Sequence, residues 1–434
     1  MFCCVGVAME LITDPMILFL DEPTSGLDSY TAHSLTKLLA DYAHSGHSVI
    51  ATLHQPSTDI FNLFDDLLLL AEGRVIFYGE AGKVIEYFEE FLGREFPKYS
   101  NPADYIFMHV LREKSLRELI EFWDSSSMKR DMSMLITEST QNTSNTLVDL
   151  QFGYTAPFSV QFKYLLNRAS KNAIRNKLII QVRFFQSIFI GLLAGLVFMR
   201  ATDGSVASQI QSLSGVLYFL AVNQFFGSAT AVLSIFATEK MVFMREYRAG
   251  YYGLTAYYFS KVLVELPYQI IFPALLLLIA YYIIGLNPSF AAYLLASSLL
   301  IFCAITGTAI GTFISAIFDD VGMALAVLPL FLLPVLLFSG LFVNSENFPV
   351  WLSWLQYGSP VRYSFSGLLQ NQFNSYTFNN CNPTITNCSG QRALDQLGFG
   401  NDLSPGILIA ILSGIYFIFV LAGYLVLLYK IKRH

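Results

Sequence analysis

The sequence is short of charge. Lys, Arg, Asp and Glu make up 13% of its 434 residues, about half of what a soluble domain carries. Hydrophobic residues make up 54%, with 38 Phe and 24 Tyr. This composition excludes an ordinary water-soluble enzyme, and it excludes a disordered chain, which would be polar and poor in aromatic residues. Five cysteines are also too few for a disulfide-stabilised scaffold.

Long segments lack charge almost completely. Six apolar blocks follow residue 180, and Glu265 is their single Asp, Glu, Lys or Arg. A membrane-spanning helix needs about 20 apolar residues, so the blocks predict six spans rather than a series of buried core helices. The first block is short, and Arg183 and Arg200 at its ends are expected to snorkel to the membrane surfaces. The predicted spans are 184–199, 213–238, 262–285, 291–318, 321–343 and 406–429.

The loop charges predict the orientation. With the front of the chain in the cytosol, the inner flanks of the spans hold 13 Lys and Arg, and the outer loops hold 3. Basic residues favour the cytosolic side, so both termini are predicted to be cytosolic. Residues 1–162 hold 10 basic and 23 acidic residues. The front half therefore has no basic surface, and a nucleic-acid partner is not expected.

The predicted organisation has three parts: a front domain over 1–124, a linker over 125–160 and a membrane domain over 161–434. Within the membrane domain, 344–405 is the only long extracellular loop. It holds Cys381 and Cys388, which are disulfide candidates because extracellular cysteines oxidise, and their spacing does not decide between a bridge within the chain and one between chains. Asn387, followed by Cys388 and Ser389, is a glycosylation candidate.

The front domain carries two apolar segments that end in reactive side chains. Residues 16–22 predict a buried parallel strand that ends in Asp21 and Glu22, and residues 48–53 predict a second strand followed by His54. Ligands of open α/β sheets lie at the carboxyl ends of the strands. There, an Asp can hold Mg²⁺ on a nucleotide, a second carboxylate can orient or deprotonate water, and a His can reach a terminal phosphate.

The string LFLDEPTSGLDS at 18–29, followed by TLHQPS at 52–57, resembles the second half of an ATP-binding cassette. A cassette followed by six spans is similar to the White-type G subfamily of half-transporters. The strings EYRAGYY at 246–252, FSGLFVN at 338–344 and WLSWLQY at 351–357 most resemble its breast cancer resistance protein branch. The resemblance implies a fold with an α/β partial nucleotide-binding domain followed by an all-α six-helix transmembrane domain.

The resemblance also implies roles for single residues in the cassette. Asp21 would bind Mg²⁺ together with ATP, and Glu22 would be the catalytic carboxylate. His54 would contact the terminal phosphate. Asp28 would lie at a dimer interface, near the nucleotide of the opposite chain.

In the spans, the resemblance implies a cavity for a small amphipathic substrate. Asn223 and Phe226 match positions that line this cavity in the family. Leu341 and Phe342 match an apolar plug below the exit. Other contacts are expected with membrane lipid and with a second half-transporter, identical or different, and the plasma membrane is the expected location.

Two motifs of a complete cassette do not occur in the sequence. A phosphate loop, Gly-x-x-x-x-Gly-Lys-Ser/Thr, is absent, and so is the family's Ser-Gly-Gly signature before Val5. We therefore expect an incomplete, N-terminally truncated copy of an ATP-driven exporter of amphipathic or lipid-like molecules, and we do not expect ATP and Mg²⁺ to bind to this chain alone. The alternative is a short, non-catalytic membrane protein that dimerises with full-length half-transporters and regulates them.

Overall fold

The computed structural model describes residues 2–97, 101–110, 116–142, 154, 156–343, 349–374, 376–378, 389–400 and 402–433. The chain divides into two compact units, Met1–Gln151 and Phe152–His434. The described part is mostly helical and has only two small sheets, each of two strands. The described residues do not include the disulfide candidates Cys381 and Cys388 or the glycosylation candidate Asn387.

The first sheet in unit 1 is parallel. Strand β1 (Ile17–Asp21) pairs with β2 (Ser48–Thr52), and helix α2 (Ser29–His44) forms the crossover that a parallel pair requires. The sequence predicted a buried strand at β1, but only one of its faces is covered. Leu18 packs in a small core with Val7 and Leu39. Phe19 points to the other face and is 72% exposed, because within unit 1 the helices cover only one side of this sheet.

The second sheet is the antiparallel hairpin of β3 (Asp66–Ala71) and β4 (Arg74–Glu80). It packs under a larger core that includes Phe77, Phe88 and Trp123. Short 3₁₀ and π segments lie at Ala81–Lys83 and Ile106–Val110. The remaining helices of unit 1 are α1 (Phe2–Leu11), α3 (Thr58–Phe61), α4 (Val84–Leu92), α5 (Pro102–Tyr105), α6 (Leu116–Ser125) and α7 (Ser127–Asn142).

Helix α7 falls in the segment 125–160 that the sequence predicted to be a linker. The richness of this segment in Ser, Thr and Asn suggested irregular structure. However, the Ser126 hydroxyl accepts a hydrogen bond from the backbone N–H of Lys129 at 3.2 Å, which is the interaction of a helix N-cap. Most of the described side chains of α7 are exposed. The helix therefore starts from a local cap and not from burial of an apolar face.

Unit 2 consists of helices. Among the described residues, five helices are long and apolar enough to cross a membrane: α9 (Lys177–Val197), α10 (Val206–Arg248), α11 (Leu254–Ile284), α12 (Phe290–Ile317) and α16 (Pro405–Arg433). Helix α13 (Val321–Leu337) is apolar but has only 17 residues, about 25 Å of helix against a hydrocarbon core of about 30 Å. The other helical segments are α8 (Phe158–Arg175), a 3₁₀ segment (Ser353–Gly358), α14 (Pro360–Phe373) and α15 (Gln391–Leu397).

Helices α10 and α12 form the closest pair in unit 2. A Cβ atom added to Gly307 would lie 2.6 Å from the carbonyl oxygen of Phe225, and one added to Gly311 would lie 2.3 Å from that of Ala229. Two glycines four residues apart allow membrane helices to approach with their backbones in contact. This pair of glycines therefore determines the spacing of the two helices.

A buried lysine joins the same two helices at the carboxyl end of α12. Lys240 of α10 is 4% exposed and donates hydrogen bonds to the carbonyl oxygens of Ser315, at 3.0 Å, and Phe318. A cation at this place also complements the negative end of the α12 dipole. Asp319 accepts a hydrogen bond from Lys430 of α16, which holds the pKa of Asp319 below its ordinary value, and it also pairs with Lys240. Three helices are thus joined at this end.

The segment predicted as a long loop, 344–405, contains two helices. Helix α14 lies beside α12 and is almost entirely buried. The Ser364 hydroxyl donates to the carbonyl of Leu299 at 3.3 Å, and the Asn371 amide donates to that of Ala292 at 2.9 Å. These pairs are seven residues apart in both helices, so α14 runs antiparallel to the first part of α12. A buried helix had not been expected here because the segment is too short and too polar to resemble a span.

Candidate functional site

The two strand ends that carry the predicted cassette residues are adjacent. Asp21 is paired in register with Thr52, and the Thr52 hydroxyl donates a hydrogen bond to the Asp21 carboxylate at 2.5 Å. The next residue, Glu22, donates its backbone N–H to the Thr52 carbonyl at 3.1 Å. His54 follows Thr52 by two residues and has an exposed side chain. The parallel register therefore brings the ends of both predicted motifs to the same edge of the sheet.

The backbone of Glu22 is in an unusual conformation. Its φ is +45°, and Gln55, the residue after His54, has a φ of +48°. Residues other than glycine rarely adopt the left-handed region, and each such residue costs about 1–3 kcal/mol. The strain at Glu22 is offset locally by the hydrogen bonds from its N–H to the carbonyl and hydroxyl oxygens of Thr52. Thr52 had not been identified from the sequence, although it occupies the strand end directly before the His54 motif.

Asp28 has a local structural role that the sequence analysis had not assigned. Its carboxylate accepts hydrogen bonds from the backbone N–H of Thr31 at 3.1 Å and from the Thr31 hydroxyl at 2.7 Å, and it caps the N-terminus of α2. The bond from the Thr31 hydroxyl is the main cause of a lowered pKa for Asp28. The carboxylate is therefore held ionised and fixed in position at the surface of unit 1.

The donor set at the strand ends agrees with the chemistry of a nucleotide-bound Mg²⁺. Such an ion takes one or two protein carboxylates and completes its shell with phosphate oxygens and water, and Asp21 is a carboxylate of this kind. Among the described residues there is no group of three or more His, Cys, Asp or Glu that could hold a metal by itself. Asp21 thus fits a shared ligand and not a complete metal site.

Two adjoining cavities lie within the helices of unit 2. The larger, of about 140 Å³, has apolar walls and four charged side chains. These form two ion pairs, Arg183 with Glu265 at 3.2 Å and Lys261 with Glu239. The smaller, of about 60 Å³, is lined by Asn223 and by several other polar side chains. Arg183 and Tyr268 line both cavities, so polar groups continue from one to the other.

The side chain of Arg183, which was predicted to snorkel to a membrane surface, is 12% exposed and is paired within unit 2. Its guanidinium pairs with Glu265 of α11 and lies over the ring of Tyr268, 5.2 Å from the centroid. A charge among apolar membrane helices is costly unless it is paired. The ion pair offsets this cost for Arg183 and for Glu265, the single acidic residue of the apolar blocks. The sequence shows an isolated acidic residue and an isolated basic residue in apolar surroundings, which indicates that they could pair. It does not show that α9 and α11 lie side by side.

The four residues predicted to line or close a substrate cavity lie in different environments. Asn223 lines the smaller cavity, and Phe226 packs, half-buried, against the main core. Leu341 packs against the same core. Phe342 is exposed, and its ring meets that of Tyr218 edge to face at 5.7 Å. Phe342 therefore lies beside Tyr218 of α10, and Tyr218 is less than two helical turns from Asn223.

Helix α8 is fixed to the end of α10 by a network of polar groups. The guanidinium of Arg168 makes two parallel hydrogen bonds to the Glu246 carboxylate, at 3.0 and 2.8 Å. Tyr252 donates its hydroxyl to the same carboxylate. Nearby, the side-chain carbonyl of Gln161 accepts the backbone N–H of Gly253 at 2.9 Å. The segment after α10 is therefore held by α8 through paired charges and a backbone hydrogen bond.

This network predicts a measurable coupling between α8 and α10. Arg168→Ala and Glu246→Ala are each expected to lower the thermal stability of the purified protein, and the double variant is expected to lose less than the sum. The interaction free energy should be about 1 kcal/mol, at the upper end for a partly exposed pair because the geometry is bidentate. Thermal unfolding in detergent at low and high salt measures it. Strictly additive losses would show that the pair contributes nothing.

Comparison with known proteins identifies the family of the chain. Residues 160–373 match a family model described as ABC-2 type transporter, and residues 54–115 match a second model with the same description. The Drosophila melanogaster protein white is 35% identical, over 99% of this chain and 64% of that protein. The Sus scrofa broad substrate specificity ATP-binding cassette transporter ABCG2 is 33% identical, over 91% of this chain and 65% of that protein. The Drosophila melanogaster protein scarlet is 29% identical, over 97% of this chain.

The chain spans 64% and 60% of the length of the white proteins of Drosophila melanogaster and Ceratitis capitata. The match nevertheless runs through both units of this chain. Together with the apolar helices of unit 2, it identifies a multi-pass membrane protein. The chain belongs to the ABC-2 type transporters, among the ABCG half-transporters represented by white, scarlet and ABCG2.

Proposed function

We propose that this chain contributes the second part of an α/β nucleotide-binding domain and the transmembrane domain of an ATP-driven exporter of amphipathic or lipid-like molecules. The observation that carries the proposal is the parallel register of β1 and β2, which pairs Asp21 with Thr52. It brings the acidic motif and the start of the His54 motif to one sheet edge, where ligands of open α/β sheets bind.

In this proposal each residue at the sheet edge has a separate task. Asp21 holds a Mg²⁺ ion on the nucleotide, Glu22 orients and deprotonates the attacking water, and His54 contacts the terminal phosphate. Asp28 faces a second chain near its nucleotide, in addition to capping α2. ATP supplies the free energy when it is bound in a site completed by a phosphate loop. The fixed backbone of Glu22 orients its side chain before the nucleotide arrives.

The substrate class is inferred from unit 2. Its larger cavity combines apolar walls with two ion pairs, and Asn223 lines the polar cavity beside it. Such a lining suits molecules with an apolar body and a few polar groups. Phe226, Leu341 and Phe342 offer apolar surface along the same stretch of α10, with Leu341 and Phe342 closing the path toward the outer side.

The assembly that we propose is a dimer of half-transporters, with an identical or a different partner. Both termini of this chain would be cytosolic, on the basis of the Lys and Arg distribution, and the plasma membrane is the proposed location. In this orientation Lys240 and Asp319 lie at the cytosolic ends of their helices. Cys381, Cys388 and Asn387 would be extracellular.

Transport in vesicles tests this function. A polypeptide that carries this chain behind a phosphate-loop segment is reconstituted, and uptake of a fluorescent phospholipid and of a cationic amphipathic dye is measured. We expect uptake with ATP and Mg²⁺ and none with a non-hydrolysable ATP analogue, which serves as the control. Uptake of small inorganic ions alone, or uptake that is independent of ATP, would contradict the proposal.

A further inference from the structure

The segment 349–358, between α13 and α14, buries the polar side chain of Gln356 and exposes three aromatic side chains. Trp351, Trp354 and Tyr357 are 73%, 66% and 62% exposed, whereas Gln356 is 6% exposed. The three aromatic residues are three positions apart, and residues 353–358 form a 3₁₀ helix. Side chains three residues apart eclipse each other in a 3₁₀ helix, so the rings of Trp354 and Tyr357 lie on one side, and Trp351 precedes this helix by two residues. A segment facing water would have the reverse distribution.

The depth of this aromatic face is fixed by hydrogen bonds to its neighbours. The Ser359 hydroxyl donates to the carbonyl oxygen of Val335 at 2.7 Å, and Val335 lies in the last turn of α13. The Tyr363 hydroxyl donates to the carbonyl of Tyr357 at 2.8 Å. The face is therefore held at the level of the carboxyl end of α13 and does not extend away from the helices.

The aromatic face continues a surface that is already apolar. On α13, Leu330, Leu333 and Leu337 are exposed, and Phe342 is exposed just beyond the helix. Residues 349–361 contain no Asp, Glu, Lys or Arg. The helix itself is about 25 Å long, shorter than the hydrocarbon core. With its start, which is capped by the Asp320 side chain, at the other membrane surface, its end would lie within about 5 Å of the boundary between hydrocarbon and headgroups, and the aromatic face would lie beside that boundary.

We propose that the face formed by Trp351, Trp354 and Tyr357 is a lipid-binding surface that inserts into the headgroup region of the leaflet at the carboxyl end of α13. Trp and Tyr are the residues that favour this region, because their rings combine an apolar body with a polar edge. The indole N–H of Trp354 is bonded to the carbonyl of Trp351 at 2.9 Å, so this ring can enter deeper without an unpaired donor. The occupant is the bilayer and not a second copy of the chain.

The tryptophan content of the chain makes this proposal testable by fluorescence. Only Trp123, Trp351 and Trp354 occur, and Trp123 is buried in unit 1 beside Phe77, with ring centroids 6.3 Å apart. In Trp123→Phe, all tryptophan emission comes from the proposed face. The matched control is Trp351→Phe with Trp354→Phe, in which only Trp123 emits. Both proteins are reconstituted in phosphatidylcholine vesicles, with elution as a single species from size exclusion as the criterion of folding.

The probes are phosphatidylcholines brominated close to the headgroup or close to the chain end, and aqueous acrylamide. Emission of Trp123→Phe is expected to fall about two-fold in vesicles brominated near the headgroup and less in those brominated near the chain end, because the rings favour the interface. The control should change little with either lipid. Quenching by acrylamide without quenching by bromine would place the face in water, and quenching by neither would mean that protein covers it; both results would overturn the proposal.

Discussion

Replacement of Glu22 by Gln in the intact transporter is expected to slow ATP hydrolysis by about 10²–10⁴-fold, the contribution of a positioned general base. The amide has the size of the carboxylate and can keep a nearby water in place, but it cannot accept a proton from it. Binding of ATP should persist, because the proposed Mg²⁺ ligand Asp21 and its hydrogen bond from Thr52 are unchanged. Hydrolysis is measured as released phosphate and binding with a fluorescent nucleotide analogue.

The chain offers a matched control for this substitution. Glu72, in the turn between β3 and β4, has a φ of +47°, close to the +45° of Glu22. Glu72→Gln makes the same chemical change in a similar strained backbone, but away from the edge that Asp21 and Thr52 form. It should leave hydrolysis unchanged. Full activity of Glu22→Gln, or equal losses in the two variants, would refute the role assigned to Glu22.

Gly311→Ala is expected to destabilise the membrane unit by about 3 kcal/mol. The new methyl group would meet the carbonyl oxygen of Ala229 at 2.3 Å, and a backbone atom cannot move aside as a flexible side chain can. Overpacking a close contact costs about 1–3 kcal/mol and occasionally more, and this contact is at the upper end because α10 must shift as a whole. The expected observation is a lower unfolding temperature in detergent, with loss of a single species on size exclusion.

The control is Gly414→Ala in α16, where an added Cβ meets no atom within 4 Å. Alanine forms helices better than glycine, so this variant should be as stable as the parent or slightly more stable. Gly307→Ala, with a contact of 2.6 Å to the carbonyl of Phe225, should behave like Gly311→Ala. If Gly311→Ala and Gly414→Ala unfolded at the same temperature, the close packing of α10 and α12 would not contribute to stability.

The strand ends of the candidate site could be predicted from the sequence because the patterns that indicate them are local. An apolar run that ends in Asp21 and Glu22 predicts a strand end, and the structure confirms the strand and its parallel partner. Long uncharged blocks predicted both ends of α12 and α16 within four residues, whereas α9, α10 and α11 begin seven or eight residues before the predicted spans and α13 ends six residues before its predicted end. Here the chemistry of the solvent, water or lipid, determines the pattern directly.

The parts that were not predicted depend on contacts between distant residues. Helix α14 carries Arg362, Gln370 and Gln372, which suggest a water-facing segment, yet it is buried, and each of these side chains makes at least one hydrogen bond. Gln370 donates to the carbonyl of Leu403 at 2.9 Å, and Gln372 accepts the backbone N–H of Asn287 at 3.0 Å. Arg183 and Glu265 are likewise 82 positions apart. No local pattern contains such pairings.

The joining of α10 to α12 has a consequence for the working cycle of such a transporter. The two helices touch through backbone atoms at Gly307 and Gly311, and Lys240 bonds the last turn of α12 to α10. Neither sliding nor rotation between them is possible without breaking both attachments. We therefore expect the two helices to move together in the proposed transport cycle, with any bending in other helices. Helix α11 contains Pro267 and Pro273, each of which removes a backbone hydrogen bond of the helix, so it is one place where a hinge would form.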